Sequence, residues 1–388
     1  MTRRIATGID IGTHQTKIVV VEELKGPNGP ALRIIGTGLA DTLGVRHGYI
    51  VDTEDAAESL RLAKKQAEAT AQVPIRNGFV AIGGISIEEA RATGETIISR
   101  ADQEITDLDI DKVRDAARLA ASPSFLNRKI LHEIPLAWTI DGAKALGDPV
   151  GMKGTRLTGD FLFVTCLAQH ADTLTNVVES ADIEVVDCMA SPLAGSYVTL
   201  SKDQKMKGCV LANIGAETVS IVVYDEGMPV SVKVFATGST HITDDLALGF
   251  KVSLEDAERI KLGRLGGQMY SKKRVDEIVS SRFKSMFDLI DKHLRSLGRH
   301  RALPAGIILS GGGSGQGSVS DIAKGSLSLP AKIADMKLAP DAKIRDATWS
   351  VAYGLALWGL TGDTETPRRH TFFKITGSFG KFLKQFMP

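Results

Sequence analysis

Aromatic residues and excess charge are both scarce in this chain. Only 5% of its 388 residues are aromatic, and the formal net charge at neutral pH is +1. Nucleic-acid-binding proteins use aromatic side chains to stack on bases and a positive field to attract the phosphate backbone. Because the chain has little of either, we expect no nucleic-acid partner.

Cysteine is equally rare. The three cysteines, Cys166, Cys188 and Cys209, each stand alone within an apolar run, and the sequence contains no CxxC pair or His/Cys spacing of a zinc site. We interpret them as small buried hydrophobic residues of a protein kept in a reducing compartment.

Long hydrophobic runs are missing as well. No apolar stretch approaches the roughly 20 residues that a membrane-spanning helix needs. Residues 1–5 lead directly into a strand pattern, without the apolar region of a signal peptide. The sequence therefore predicts a protein that is made and kept in the cytoplasm, where it can still lie on a membrane surface.

What the chain does contain is an internal repeat. Residues 9–13 precede an Ile-Val-Val run at 18–20, and residues 212–216 precede the same run 203 residues further on. Each copy reads as a β-branched strand, a turn that begins at glycine, and a second strand. Because helical patterns separate the strands, we predict an α/β protein built from two related domains.

Three glycine turns follow strands and favour a phosphate site. Two are the hairpins that begin at Gly12 and Gly215, and the third is the glycine run 311–313. A glycine lets main-chain amides approach an oxyanion without a Cβ in the way, whereas a single hairpin glycine is usually only a structural turn. The sequence has no P-loop, no Gly-x-Gly-x-x-Gly that opens a helix and no protein-kinase residue set. Three such turns, two of them duplicated, favour a nucleotide held between two domains.

Five stretches carry a resemblance to one family. Residues 131–135, 148–154 and 164–166 look like the insertion subdomain of the FtsA family, and residues 238–247 and 256–261 resemble two signatures of its second half. On these motifs the chain resembles FtsA, a family of actin-like bacterial cell-division proteins, over nearly its whole length. The resemblance implies the α/β two-domain fold shared by actin, Hsp70 and sugar kinases, with ATP in the cleft between the duplicated halves.

The same resemblance, with the composition of the segments, implies where the domains begin and end. We expect the first actin-like half (subdomain 1A) at residues 1–77, completed by about 166–200 and the terminal helix 347–360; an FtsA-type insertion subdomain at 78–165; the second half (subdomains 2A and 2B) at 201–360, with 2B at about 230–300; a linker at 361–370; and an amphipathic membrane-targeting helix at 371–388.

The resemblance also implies site roles, residue by residue. The expected ATP- and Mg²⁺-binding set combines both hairpins, two helical residues that reach the ribose and adenine, and the loop under the adenosine: Asp10, Gly12, Thr13, Asn213, Gly215, Ala216, Glu217, Thr218, Glu258, Lys261, Gly311, Gly312 and Gly313. Asp10 is the metal-binding residue, through a water of the Mg²⁺ shell. No catalytic residue is assigned. Without the resemblance, Glu258 and Lys261 read as a solvated helix face.

The second hairpin departs from the family pattern Asp-x-Gly-Gly-Gly-Thr. Asn213 cannot supply the negative charge of the aspartate, and Ala216 replaces a glycine. Glu217 brings a carboxylate toward the phosphates, which it repels unless it turns away or meets the metal. We therefore expect nucleotide binding with weak or no ATPase activity.

The C-terminal segment is a candidate membrane anchor. Three phenylalanines and a leucine follow the i, i+3, i+4, i+7 spacing of one helical stripe, and lysines lie beside them. A basic aromatic helix after a polar linker favours the surface of an anionic membrane, whereas the alternative is a helix packed on the protein's own core. The membrane-binding set is Phe379, Lys381, Phe382, Leu383, Lys384 and Phe386.

The function implied by the resemblance is that of an ATP-binding, filament-forming protein. It would tether the ring of the tubulin-like protein FtsZ to the cytoplasmic face of the bacterial inner membrane at the division site and help to assemble the divisome. Its partners are then FtsZ, further copies of itself, anionic lipids and other divisome proteins. Two alternatives of the same fold stay open: a pilus-assembly scaffold like PilM, which the basic aromatic tail disfavours, and a small-molecule kinase, for which no substrate-binding insertion is recognisable.

Overall fold

The structure is a computed structural model that describes residues 3–26, 29–264, 270–336 and 346–361. The predicted C-terminal helix at 371–388, with every residue of the candidate membrane anchor, lies outside the described residues. The predicted linker also lies outside them, apart from Thr361.

Strands and helices alternate along the described chain. The first part contains β1 (Arg4–Ile11), β2 (Gln15–Gly26), β3 (Gly29–Asp41), β4 (Val45–Arg46), β5 (Tyr49–Ile50), α1 (Thr53–Ala71), β6 (Asn77–Ile82), β7 (Glu88–Ile97), α2 (Asp107–Ala120), β8 (Arg128–Ile140), β9 (Ala143–Lys144), β10 (Arg156–Leu167), α3 (Ala168–Ser180), β11 (Glu184–Ala190) and α4 (Ser191–Thr199). The second part contains α5 (Lys202–Lys207), β12 (Cys209–Ile214), β13 (Val219–Asp225), β14 (Met228–Phe235), α6 (Thr240–Phe250), α7 (Leu254–Lys261), α8 (Lys272–Ser296), β15 (Gly306–Ser310), α9 (Val319–Leu327), β16 (Ala331–Ile333) and α10 (Ser350–Thr361).

Two five-stranded sheets form the body of the molecule, and each repeats the topology of the other. The strand order is β11-β6-β1-β2-β3 in the first and β16-β15-β12-β13-β14 in the second. In both, the first hairpin is antiparallel and its first strand also pairs in parallel with a later strand. Asp10 lies opposite Lys17, and Asn213, 203 residues later, lies opposite Ser220. The predicted α/β class is confirmed, and the repeat extends to strand order and register.

A third sheet, inserted between β6 and β11, has the order β7-β10-β8-β9 and carries α2 on one face. Its core joins Val113 of the helix to Trp138, Phe161 and Phe163 of the strands. The helix lies so close to the sheet that a Cβ added to Gly94 would sit 1.9 Å from the carbonyl oxygen of Val113. This sheet also touches the second half, where the Glu89 carboxylate accepts the main-chain N–H of Val232 at 2.8 Å.

The helix α10 is apolar on all sides, and ten of its twelve residues are buried. It packs between β1 and α4, where backbones approach too closely for side chains. An added Cβ at Gly8 would lie 1.9 Å from the Ala352 carbonyl oxygen, and one at Gly354 would lie 1.9 Å from that of Ala194. The end of the described chain thus packs on the sheet with which the chain begins.

The packing of α10 predicts a matched pair of glycine substitutions. Gly354→Ala should lower the free energy of unfolding by about 1–3 kcal/mol, because the new methyl group meets the Ala194 carbonyl. Gly325→Ala, in α9, meets nothing within 4 Å and should be neutral or stabilise by roughly 0.5–1 kcal/mol. Urea unfolding followed by circular dichroism measures both; equal stability of the two variants would contradict this packing.

Candidate nucleotide-binding site

The two repeated hairpins close their turns in the same way. The Gly12 N–H donates to the Gln15 carbonyl oxygen at 3.1 Å, and the Gly215 N–H donates to that of Thr218 at 2.8 Å. Neither glycine has a positive φ. The need for glycine is one of space, since an added Cβ would lie 2.9 Å from the Gln15 oxygen at the first turn and 3.1 Å from the Thr218 oxygen at the second. Both turns therefore leave little room for a side chain at the glycine.

Asp10 lies at the end of β1, opposite Lys17 on β2. Although its surface stays partly accessible, the surrounding protein raises the pKa of Asp10 to about 6 by desolvation, and the charge of Lys17 opposes that rise. Burial lowers the pKa of Lys17, while Asp10 and Asp346 counteract the change. Sequence reasoning missed Lys17; the available signal was a single lysine at the start of a buried β-branched strand, in hairpin register with Asp10.

The third glycine turn packs on the second hairpin. Gly311 has a φ of +83°, and a Cβ there would lie 2.2 Å from Oδ1 of Asn213. Gly313 lies against Ile214, because an added Cβ there would lie 2.4 Å from Cγ2 of Ile214. Around Gly312 the space is open within 4 Å. The structure therefore brings Asn213 and the run 311–313 together at one edge of the second sheet.

The start of α6 is bonded to the second hairpin through main-chain atoms. The Ser239 N–H donates to the Gly215 carbonyl oxygen at 2.9 Å, and the Thr240 N–H donates to that of Ala216 at 2.8 Å. Gly238 permits this contact, since its added Cβ would lie 2.3 Å from the Ala216 oxygen. Ala216 thus takes the place of a glycine without disturbing the turn.

Glu258 and Lys261, on α7, bind each other and Thr243 of α6. The Lys261 ammonium lies 2.6 Å from Oε2 of Glu258 and 2.8 Å from the Thr243 hydroxyl, which donates to the same carboxylate at 2.6 Å. Burial alone would raise the pKa of Glu258, but the hydrogen bonds from Lys261 and Thr243 outweigh it and lower that pKa, with His14 of the first hairpin adding to the effect. Together with Thr243 the pair forms a polar cluster beside the second hairpin. Sequence reasoning missed Thr243.

Glu217 turns away from its own hairpin toward the first half. Its carboxylate accepts the main-chain N–H of His47 at 2.5 Å and lies 3.6 Å from the Arg46 guanidinium. The next residue, Gly48, donates its N–H to the Thr13 hydroxyl at 3.2 Å. The β4–β5 turn thus touches both hairpins, and sequence reasoning missed it because a short polar turn carries no motif.

The described residues contain no group of three or more His, Cys, Asp or Glu side chains arranged to hold a metal ion. Mg²⁺ bound to nucleotide keeps most of its waters and needs only one or two carboxylates in addition to the phosphates. Asp10 fits that role.

Within the described residues no helix is long and apolar enough to cross a membrane.

Solved structures resemble this chain in fold. The type IV pilus biogenesis complex PilM–PilN gives a TM-score of 0.70 at 16% identity, covering 92% of this chain and 99% of that chain. An MreB protein of Spiroplasma citri bound to ADP gives a TM-score of 0.51 at 12% identity, covering 92% of this chain and 96% of that one. With the duplicated sheets, these similarities define a protein of the actin-like fold, as predicted.

Family models narrow the assignment within that fold. The model described as cell division protein FtsA matches residues 210–354, and the model of the SHS2 domain inserted in FtsA matches residues 84–165. Proteins named cell division protein FtsA from Pseudomonas aeruginosa and Bacillus subtilis are 28% and 29% identical to this chain. The alignments cover 92% and 89% of this chain, and 89% and 81% of those proteins. The chain belongs to the FtsA family of cell-division proteins.

Proposed function

We propose that this FtsA-family protein binds Mg²⁺-ATP between its two halves, forms filaments, and tethers FtsZ to the membrane at the division site. The observation that carries the nucleotide part is the pair of hairpins with the same turn hydrogen bond on two sheets of the same topology. The MreB structure of the same fold was solved with ADP, which supports a nucleotide as the occupant.

In this proposal the hairpins and the neighbouring residues bind different parts of the nucleotide. The main-chain amides after Gly12 and Gly215 hold the phosphates, with the positive charge of Lys17 beside them. Asp10 holds a water of the Mg²⁺ shell. The cluster of Glu258 and Lys261 lies next to the second hairpin and offers hydrogen-bonding groups to the ribose and base.

Attachment to the membrane is assigned to the C-terminal segment from its sequence pattern. Phenylalanines and a leucine at one helical stripe, flanked by lysines, suit the surface of an anionic bilayer on the cytoplasmic side. Binding to FtsZ, self-assembly and contacts with other divisome proteins follow from membership of the family. Pelleting with FtsZ filaments separates this function from that of a PilM-like scaffold, and a phosphoryl-transfer screen tests the small-molecule kinase alternative.

The proposed role of Asp10 predicts a pH-dependent affinity. Asp10→Ala should weaken Mg²⁺-ATP binding by about an order of magnitude or more, because a charged group of the metal shell is lost. In the unmodified chain, affinity should fall as the pH drops through about 6, where Asp10 takes up a proton, and the variant should lack this component. Calorimetry across pH measures both, and protonation of ATP itself cancels in the comparison. Equal affinities at pH 7.5 would rule out this site.

The absence of an acid at Asn213 predicts slow hydrolysis. The Asn213→Asp variant should release phosphate from ATP faster than the unmodified chain, since the restored carboxylate can orient water or hold Mg²⁺. Phosphate release is measured with lipid vesicles and polymerised protein present, and Asp10→Ala serves as the inactive control. Fast ATP hydrolysis by the unmodified chain would show that Asn213 does not slow the reaction.

The proposed anchor predicts that one charge in the stripe prevents membrane binding. A buried phenylalanine or leucine contributes roughly 1.5–3 kcal/mol at full burial, and each nearby lysine about 1 kcal/mol on an anionic surface. Phe382→Glu should therefore abolish co-sedimentation with anionic liposomes and leave nucleotide binding intact. Gln385→Glu adds the same charge outside the stripe and should reduce binding only slightly. If a chain that lacks residues 371–388 still sediments fully, the anchor lies elsewhere.

A further inference from the structure

Glu217 belongs to the expected nucleotide-binding set, but its side chain faces away from its own hairpin. Its carboxylate is enclosed, with 12% of the side chain exposed, and it faces the first half of the molecule. One oxygen accepts the His47 N–H at 2.5 Å, and the other lies 3.6 Å from the exposed guanidinium of Arg46. A carboxylate that accepts a main-chain N–H forms a stronger hydrogen bond than a neutral acceptor does. This contact is therefore a specific bond between the two halves.

The turn that receives Glu217 is fastened to the first half by a hydrogen bond and a close backbone contact. His47 and Gly48 both have positive φ values, 50° and 79°, as in the two-residue turns that connect tight hairpins. The Gly48 N–H is held by the Thr13 hydroxyl at 3.2 Å. The backbones of Gly48 and Gly84 touch, since a Cβ on Gly48 would lie 2.4 Å from the Gly84 Cα. The bond to Glu217 thus connects the second hairpin to a turn that is held by residues of the first half.

We propose that Glu217 is a latch that joins the two phosphate hairpins across the cleft and limits the rate at which nucleotide enters and leaves. Phosphates lie between the hairpins, so their passage requires the hairpins to move apart. That movement breaks the charge-assisted bond to His47, and the free energy of this bond adds to the cost of opening, which slows exchange in both directions. Arg46 and the His47 amide also explain how the second hairpin tolerates a carboxylate. They bind the Glu217 carboxylate from the side of the first half, so that it points away from the proposed phosphate position.

The latch itself is tested without nucleotide, by hydrogen exchange of the His47 amide in the full chain. Glu217→Ala removes the acceptor and should speed this exchange by roughly tenfold or more. Glu217→Gln keeps an uncharged acceptor and should give a smaller increase. Lys144→Ala is the matched control, because Lys144 pairs with Glu226 at 3.7 Å between the inserted sheet and the second half, at an exposed position away from the hairpins. Exchange at the unmodified rate in Glu217→Ala would overturn the latch.

The gating role rests on the proposed function, and its test separates the two. The dissociation rate of a fluorescent ADP analogue is measured by displacement with excess unlabelled ADP in a stopped-flow instrument. The analogue should dissociate from the Glu217→Ala variant roughly tenfold faster than from the unmodified chain. Lys144→Ala should release it at the unmodified rate. If the analogue binds but leaves Glu217→Ala at the unmodified rate, the gate is refuted. If the unmodified chain binds no analogue, the nucleotide function fails, and His47 exchange still decides whether the latch exists.

Discussion

Contact between backbones too close for side chains is the constraint on which the cleft depends. Gly238 lies against the backbone of Ala216, Gly311 against that of Ile214, and Gly48 against that of Gly84, each with no room for a Cβ. Main-chain groups therefore carry the contacts between these loops, and the positions of the amides proposed to bind phosphate follow from the backbone. This explains why the second hairpin keeps its turn hydrogen bond although Asn213, Ala216 and Glu217 depart from the family pattern.

The departures change the charge of the cleft more than its shape. Asp10 of the first hairpin is opposite a lysine, whereas the corresponding Asn213 is opposite Ser220. The first half therefore contributes two ionisable groups of opposite sign to the site, and the second half contributes uncharged groups at the same register. The carboxylate that the second hairpin does carry, on Glu217, is directed at His47 and Arg46. The proposed nucleotide site therefore has its aspartate on one side only.

The inserted sheet contacts both halves. It continues from the Gly83–Gly84 turn after β6, and the Glu89 carboxylate binds the Val232 N–H of β14. Arg91 of the same strand reaches the Val230 carbonyl oxygen. A change in the angle between the halves would therefore strain or break these bonds, because they join the insertion, which continues from the first half, to β14 of the second half.

The sequence by itself determined the α/β class, the duplication and the three glycine turns, because these depend on local patterns of β-branched residues and glycine that repeat at a constant offset. It also pointed to Glu258 and Lys261, through resemblance. Only the tertiary structure decided which way Glu217 faces, that Thr243 of α6 binds the Glu258–Lys261 pair of α7, and that the β4–β5 turn meets both hairpins. The reason is physical: each of these is a contact between separate secondary-structure elements or between the two halves, and the direction of a side chain depends on what the neighbouring element places beside it. Glu217 and His47 are 170 residues apart, and no local pattern at either position specifies the other.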